Sequence, residues 1–203
     1  MSDWYGKMEM ERVSTMMTDP QIRRIVNELG GVLQNGVAGD VVEFGCNVGT
    51  TSVFLKKTMM IAGDSGRQLW CYDSFQGLPE LDPKDHGWWN KGWMKVGQDV
   101  IEGTFRSKNL PLPIIKSGWF NELKKEDVPS AICFAYLDCD LYSSMMDAIR
   151  IVWPRLSSGA IMAFHDANTP GVVSAINESL IGKPCKTEWY DREIYGLMGI
   201  RKF

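Results

Sequence analysis

The sequence predicts an α/β fold: a mostly parallel sheet covered by helices on both faces. Three observations predict it. Strand-like and helix-like segments alternate along the 203 residues. One strand runs through a tight glycine turn straight into a helix, from Val41 to Leu55. Two short terminal segments, 187–190 and 196–200, are placed to close as an antiparallel hairpin at the sheet edge. The length suits one domain with a full hydrophobic core.

The elements follow in order. Thr18-Asp19-Pro20 opens a helix, with proline suited to the first turn. Its stripe is Ile22, Ile25, Val26, Leu29 and Leu33. A first strand covers 40–44, and the helix after Gly49 continues to about residue 61. A second strand, 67–72, ends at Asp73; a third covers 112–115 and a fourth 131–137. A helix over 143–156 leads to a fifth strand, 160–164, and a helix over 172–180 precedes the hairpin. Repeats and low-complexity linkers are absent. The long irregular piece is 78–98, and loops of that length in a compact domain are usually functional or mobile.

Composition excludes several classes. The net charge is −3 and Lys and Arg are scattered, which is no footprint for nucleic acid. Cys46, Cys71, Cys133, Cys139 and Cys185 show no C-x-x-C and no zinc spacing, so they read as thiols of a reducing compartment. No apolar run approaches a membrane span, and Met1-Ser2-Asp3-Trp4 does not begin a signal peptide. A soluble, cytoplasmic protein without membrane partners is expected.

Three constellations carry chemistry. In the first, Gly45 and Gly49 stand four apart with no G-x-G-x-x-G, so the dinucleotide fingerprint is absent. Glu43 before that turn suits S-adenosylmethionine, which is cationic at sulfur and has no pyrophosphate to cradle. Asp73, at the tip of the neighbouring strand, can accept both ribose hydroxyls of an adenosine, or can cap its own turn. In the second, Asp138 and Asp140 lie two apart after an apolar strand, so both carboxylates can face one cleft. Crowded carboxylates raise a pKa or take a cation between them, which gives a base or a metal site. Asp140 can instead cap the helix beginning near Tyr142. In the third, His165-Asp166 falls at the tip of strand five, across from Asp138, where a histidine can serve catalysis.

With these residues assembled, the chain resembles a class I S-adenosylmethionine-dependent methyltransferase, and more closely the macrocin O-methyltransferase family, which methylates sugar hydroxyls. The resemblance spans 39–173. It rests on Gly39-Asp40-Val41-Val42-Glu43-Phe44-Gly45, on Tyr72-Asp73-Ser74-Phe75-Gln76-Gly77-Leu78-Pro79, on Gly118-Trp119-Phe120 and on Leu137-Asp138-Cys139-Asp140-Leu141-Tyr142. It implies a Rossmann-like methyltransferase fold with a seven-stranded sheet and an antiparallel C-terminal edge strand. An N-terminal helical lid or oligomer segment, 1–36, would precede a catalytic core, 37–203. Glu43, Gly45 and Asp73 would contact the cofactor, joined by Cys46, Asn47, Gly49 and Thr51 of the turn, by Ser74, and by Asp138. The segment Ser117-Gly118-Trp119 would lie near the adenine. The resemblance also implies a homo-oligomer and a divalent metal, usually Mg²⁺, on Asp138 and the pair after strand five.

That pair is where the chain departs from the family, which typically has two consecutive aspartates where this sequence reads His165-Asp166. Mg²⁺ wants hard oxygen ligands, whereas imidazole suits Zn²⁺, Mn²⁺ or Fe²⁺. Three arrangements follow: Mg²⁺ with fewer protein ligands, a different metal on Asp138, His165 and Asp166, or no metal and a histidine base. A metal retained on Asp138 and Asp166 is the expectation.

The function expected is methyl transfer from S-adenosylmethionine to a hydroxyl of a sugar or glycosylated small molecule. Asp138 is the first candidate for base or metal-bridging ligand, and His165 the substitute. The acceptor is expected against the loop 85–93, where Trp88, Trp89 and Trp93 can stack on a sugar or pack onto the domain. The methionine-rich stretch 8–17 reads as a helix that serves as lid, dimer contact or core. Two readings compete. A nicotinamide-dependent oxidoreductase on the same sheet is disfavoured by the missing fingerprint. A non-catalytic adenosine-ligand-binding protein is kept open by His165.

Overall fold

In the computed structural model, residues 3–8, 11–86, 89–191 and 196–203 are described. Strands β1 (Asp40–Phe44), β2 (Leu69–Asp73), β3 (Ile114–Ser117), β4 (Ile132–Leu137), β5 (Leu156–Phe164), β6 (Cys185–Asp191) and β7 (Leu197–Lys202) form one sheet. Their order is β3-β2-β1-β4-β5-β7-β6. β1 pairs in parallel with both β2 and β4, and β4 pairs in parallel with β5. The chain therefore reverses its direction of travel across the sheet between β1 and β4, where open α/β sheets bind ligands at the carboxyl edge. β7 runs antiparallel to both β5 and β6, which closes the expected hairpin. It slots inside β6, so β6 is the outermost strand.

Side-chain alternation on these strands builds two cores. Val41 of β1, Cys71, Tyr136 and Ile161 face one way, under α1 (Asp19–Gln34), α2 (Thr50–Ile61) and α3 (Gln98–Ser107). Val42, Phe44, Tyr72, Leu137 and Phe164 face the other, under α4 (Tyr142–Val152) and α5 (Pro170–Leu180). Phe44 stacks on Tyr72, with ring centroids 4.3 Å apart.

The start of α1 is as expected. Thr18 caps it in a reciprocal capping box with Gln21, and Pro20 sits in the first turn. Elsewhere the bounds move. α4 ends at Val152 because Pro154 cannot continue it, and a short 3₁₀ turn, Trp153–Arg155, feeds a longer β5 than expected. β3 begins at Ile114 rather than residue 112, after Pro113. Helix α3 is absent from the expectation. Only Ile101, Thr104 and Phe105 of its ten residues are buried, too thin a stripe to read.

The N-terminal stretch differs more. Residues 11–18 are not helical. They form an irregular strap held by Arg12 to Asp19 (2.7 Å) and by Ser14 to Thr50 (2.8 Å). A single 3₁₀ turn, Tyr5–Lys7, precedes it, and Glu9 and Met10 lie outside the described residues. α1 itself belongs to the sheet-covering layer rather than to a separate lid.

Candidate active site

The parallel register brings four strand tips side by side. Gly45 donates its N–H to the Tyr72 carbonyl, Asp138 to that of Phe44, His165 to that of Leu137 and Gly118 to that of Asp73. Asp73, Gly45, Asp138 and His165 thereby stand in a row along one edge. A cavity of about 1010 Å³ opens there, ample for a cofactor and an acceptor together. Nine of the twelve expected cofactor residues line it: Glu43, Gly45, Cys46, Asn47, Thr51, Asp73, Ser74, Trp119 and Asp138. Gly49, Ser117 and Gly118 do not. Gly49 serves as the N-cap of α2 in a left-handed conformation. Ser117 closes β3, paired with Asp73.

The glycine turn is enforced by proximity. A Cβ on Gly45 would lie 1.8 Å from the Asp138 carbonyl oxygen, and its φ is +86°. The β1 turn and the β4 tip therefore meet with no room for a side chain. Glu43, buried on the α2 face, accepts a hydrogen bond from the Ser52 hydroxyl. Burial, with lesser push from Asp138 and Asp73, raises its carboxyl to about 8. Asp73 accepts the backbone N–H of Asn47 (2.8 Å) on one oxygen and that of Phe75 (2.9 Å) on the other. Burial raises its pKa despite those bonds. Each oxygen keeps a second lone pair for a ribose hydroxyl.

The opposite half is an acid cluster around His165. Its Nδ1 is buried 2.9 Å from Asp138 Oδ1 and 3.3 Å from Asp166 Oδ2. Neither oxygen lies along the ring's N–H direction, so Nδ1 is flanked by both carboxylates and squarely bonded to neither. Tyr136 donates to Asp138 Oδ2 at 3.3 Å. Asp140 does not cap α4 as the sequence allowed. Asp85 accepts the Tyr142 N–H at 2.7 Å instead, and a Cβ on Gly171 would strike that carboxylate at 2.1 Å. Asp140 turns into the cluster in a left-handed conformation (φ +58°) and shares a hydrogen bond with Asp166. Burial and the charges of Asp138 and Asp166 hold its carboxyl well above the usual carboxylate range.

Gln21, which the sequence did not single out, reaches the same histidine. Its side-chain nitrogen lies 3.0 Å from His165 Nε2, across 144 residues of sequence. Both ring nitrogens therefore face protein groups, which argues against the expected role of His165 as a base.

Asp138, His165 and Asp166 do present ligand atoms within 4.8 Å of one another. The contacts of His165 do not fit a third ligand beside the metal expected on Asp138 and Asp166. Metal-bound histidine donates its remote N–H to an acceptor, and His165 Nε2 meets an amide nitrogen instead.

A further wall of the cavity is lined by His86, Trp89, Met94, Trp119 and Phe120. Gly87 and Trp88 of that loop lie outside the described residues. Trp93 is partly exposed and does not line the cavity. Among the described residues, eight carboxylates (Glu43, Asp73, Glu80, Glu122, Asp138, Asp140, Asp147, Asp166) line the cavity against one lysine, Lys91, which pairs with Glu80 at 2.5 Å.

A parallel sheet reversing at β1/β4, an antiparallel β7 and a glycine-turn cavity define the class of Rossmann-like methyltransferases. The O-methyltransferase NovP shares this fold, with a TM-score of 0.76 at 21% identity over 89% of this chain and 78% of that one. The chain matches the macrocin-O-methyltransferase (TylF) family over residues 3–180 and belongs to it. A tetracenomycin-C rhamnosyl 4'-O-methyltransferase from Streptomyces olivaceus is 31% identical over 144 residues, 66% of this chain and 55% of that protein. Mycinamicin III 3''-O-methyltransferase from Micromonospora griseorubida is 25% identical over 179 residues, 81% of this chain and 69% of that protein. The chain spans little more than half the length of the first of these relatives. No helix among the described residues is long and apolar enough to cross a membrane.

Proposed function

We propose that this chain transfers the methyl group of S-adenosylmethionine to a hydroxyl oxygen on the sugar of an uncharged small molecule. The observation that carries the reading is the acid-lined cavity at the strand tips, where one half fits a cationic nucleoside and the other holds bases. S-adenosylmethionine supplies an electrophilic methyl carbon, so the protein has only to align the acceptor and receive its proton. Alignment can contribute on the order of 7–11 kcal/mol.

Glu43 and the Gly45 turn form the floor of the cofactor half, Asp73 orients the ribose, and Trp119 flanks the base. In the acceptor half, burial and the neighbouring charges hold the Asp140 carboxyl above the usual carboxylate range, and both nitrogens of His165 face protein groups. Asp138, which accepts from Tyr136 and lies beside the His165 ring, takes the hydroxyl proton as the oxygen–methyl bond forms and the sulfur–methyl bond breaks, with S-adenosylhomocysteine as the leaving group. This route needs no divalent metal on the cluster. The names of the relatives, which act on rhamnosyl and mycinamicin acceptors, support a sugar-bearing substrate. The lining carboxylates other than Glu43 and Asp140, with Lys91 already paired to Glu80, favour a neutral glycoside over a nucleotide-diphosphate sugar, whose pyrophosphate they would repel.

Turnover tests this with S-adenosylmethionine and matched pairs of sugars, each offered as a neutral glycoside and as the nucleotide-diphosphate form. Methyl transfer to the glycosides is expected. Stabilisation by S-adenosylmethionine without transfer to any hydroxyl would favour the non-catalytic reading, and stabilisation by NAD alone the oxidoreductase.

A further inference from the structure

We propose that Gln21, through the capping box of α1, holds His165 Nε2 as a hydrogen-bond acceptor, so that the ring presents an N–H at Nδ1 to the acid cluster and is not a metal ligand. Gln21 is then a positioning residue. The inference rests on the transfer reading only for its consequence, that Asp138 is the base. The proton placement follows from hydrogen-bond directions alone.

The group that fixes the ring lies 144 residues away, at the start of α1. The Thr18 backbone N–H lies 2.8 Å from Gln21 Oε1. A backbone N–H can only donate, so the Gln21 oxygen must face Thr18. The Thr18 hydroxyl adds a second donor at 2.9 Å to the same oxygen. The amide cannot flip without turning its NH₂ onto that N–H. Its nitrogen therefore faces His165 Nε2 at 3.0 Å as a donor, and Nε2 must accept with a lone pair. The one proton of a neutral imidazole then sits on Nδ1, between Asp138 and Asp166.

Two other states are disfavoured by the same contact. An Nδ1 flanked by two carboxylates but aligned with neither is also what a ring sharing a cation with them would show. A metal on Nδ1, however, would put the proton on Nε2 against the Gln21 NH₂, leaving two donors facing each other. The doubly protonated ring has the same conflict. The carboxylates do pull toward it: against a large opposing effect of burial, Asp138 and Asp166 raise the ring's pKa well above that of free histidine. Gln21 is the group that opposes the second proton, and its orientation is fixed by a donor that cannot reverse. Where two adjacent acids would hold a cation, this chain places an N–H.

The substitution Gln21→Glu separates this role from capping. Glutamate at that position keeps the capping box, since a carboxylate oxygen accepts the Thr18 N–H equally well. Its other oxygen would accept from Nε2 instead of donating to it. In protein labelled with ¹⁵N-histidine, two-bond ¹H–¹⁵N correlation spectra at neutral pH are expected to show His165 with Nδ1 protonated and Nε2 bare. In Gln21→Glu, Nε2 should gain a proton while thermal stability is unchanged within a few degrees. Adding Mn²⁺ or Mg²⁺ to the wild type should leave the His165 nitrogen shifts in place. A protonated Nε2 in the wild type, an unchanged Nε2 in Gln21→Glu, or loss of the Nδ1 proton on adding metal would each overturn the inference. None of these readouts depends on turnover, so a failed methyl-transfer assay leaves the inference standing, and its own failure leaves methyl transfer standing.

Discussion

The two halves of the cavity are built on different principles. The cofactor half, at the tips of β1 and β2, is local: Glu43, Gly45, Asn47 and Ser52 come from one strand–turn–helix unit, with Asp73 one strand over. The acid half, at the tips of β4 and β5, is assembled across the chain. His165 is held by Asp138 on the neighbouring strand and by Gln21 on α1, and α4 is capped by Asp85 from the long loop. A local unit carries its meaning in consecutive residues. An assembled one carries it in contacts that no spacing displays.

The comparison breaks most sharply at Asp138. If the acid half performs only proton removal, Asp138→Asn should lower turnover by about 10²–10⁴-fold, the span of general-base catalysis. The affinity for S-adenosylmethionine, measured by calorimetry, should stay within a few fold. A parallel loss of affinity would show that the halves are one unit.

Gly45→Ala tests the seam where they meet. Its Cβ would strike the Asp138 carbonyl, and its φ of +86° strains any side chain. A loss of about 3 kcal/mol or more is expected in urea unfolding, with cofactor affinity and turnover falling together. A stable variant that lost only turnover would place the seam elsewhere.

The cofactor half can be probed alone through Glu43. Its carboxyl has an ordinary value of 4.5 and is raised to about 8 by burial. Between those values the folded chain holds a proton that the unfolded chain releases, so this group's contribution makes stability fall as pH rises. The slope is at most about 1.4 kcal/mol per pH unit. Glu43→Gln should flatten the decline between pH 5 and pH 8 in unfolding measurements without cofactor. An unaltered slope would mean that Glu43 is ionised in the folded state.

The same division explains what the sequence disclosed. β1, α2 and the row of strand tips were legible because a β-branched run, a glycine turn and an apolar period are consecutive signals. Asp138 and Asp166 were legible as acids at strand ends. Gln21 was not, because its residues Thr18-x-x-Gln21 signal only a helix start, and nothing local says that the same amide reaches β5. Asp140 misled for a related reason. An aspartate before a helix normally caps it, and the competing acceptor, Asp85, lies 57 residues upstream of the Tyr142 N–H that it accepts. The methionine-rich stretch 8–17 reads as a helix, yet from residue 11 onward it is a strap. It is held by side-chain bonds to α1 and α2 rather than by its own periodicity.

Asp85 gives the smallest and most remote test of the assembled half. Its carboxylate joins the Trp-bearing loop to the first turn of α4, and Lys84 beside it binds Glu178 of α5 at 2.7 Å. Asp85→Ala removes the helix cap, a loss of about 0.5–2 kcal/mol. It also frees the loop that carries His86 and Trp89 into the acceptor side of the cavity. The expected kinetic signature is a raised KM for the acceptor with kcat and the KM for S-adenosylmethionine little changed, because Asp138 and the cofactor half stay in place. Asp85→Asn, which retains an acceptor oxygen for the Tyr142 N–H, should recover most of both losses. A lowered kcat in Asp85→Ala with acceptor KM intact would instead tie the cap to the placement of Asp140 and Asp138, two and four residues before Tyr142. The loop would then be a support for the acid cluster and not a wall of the acceptor site.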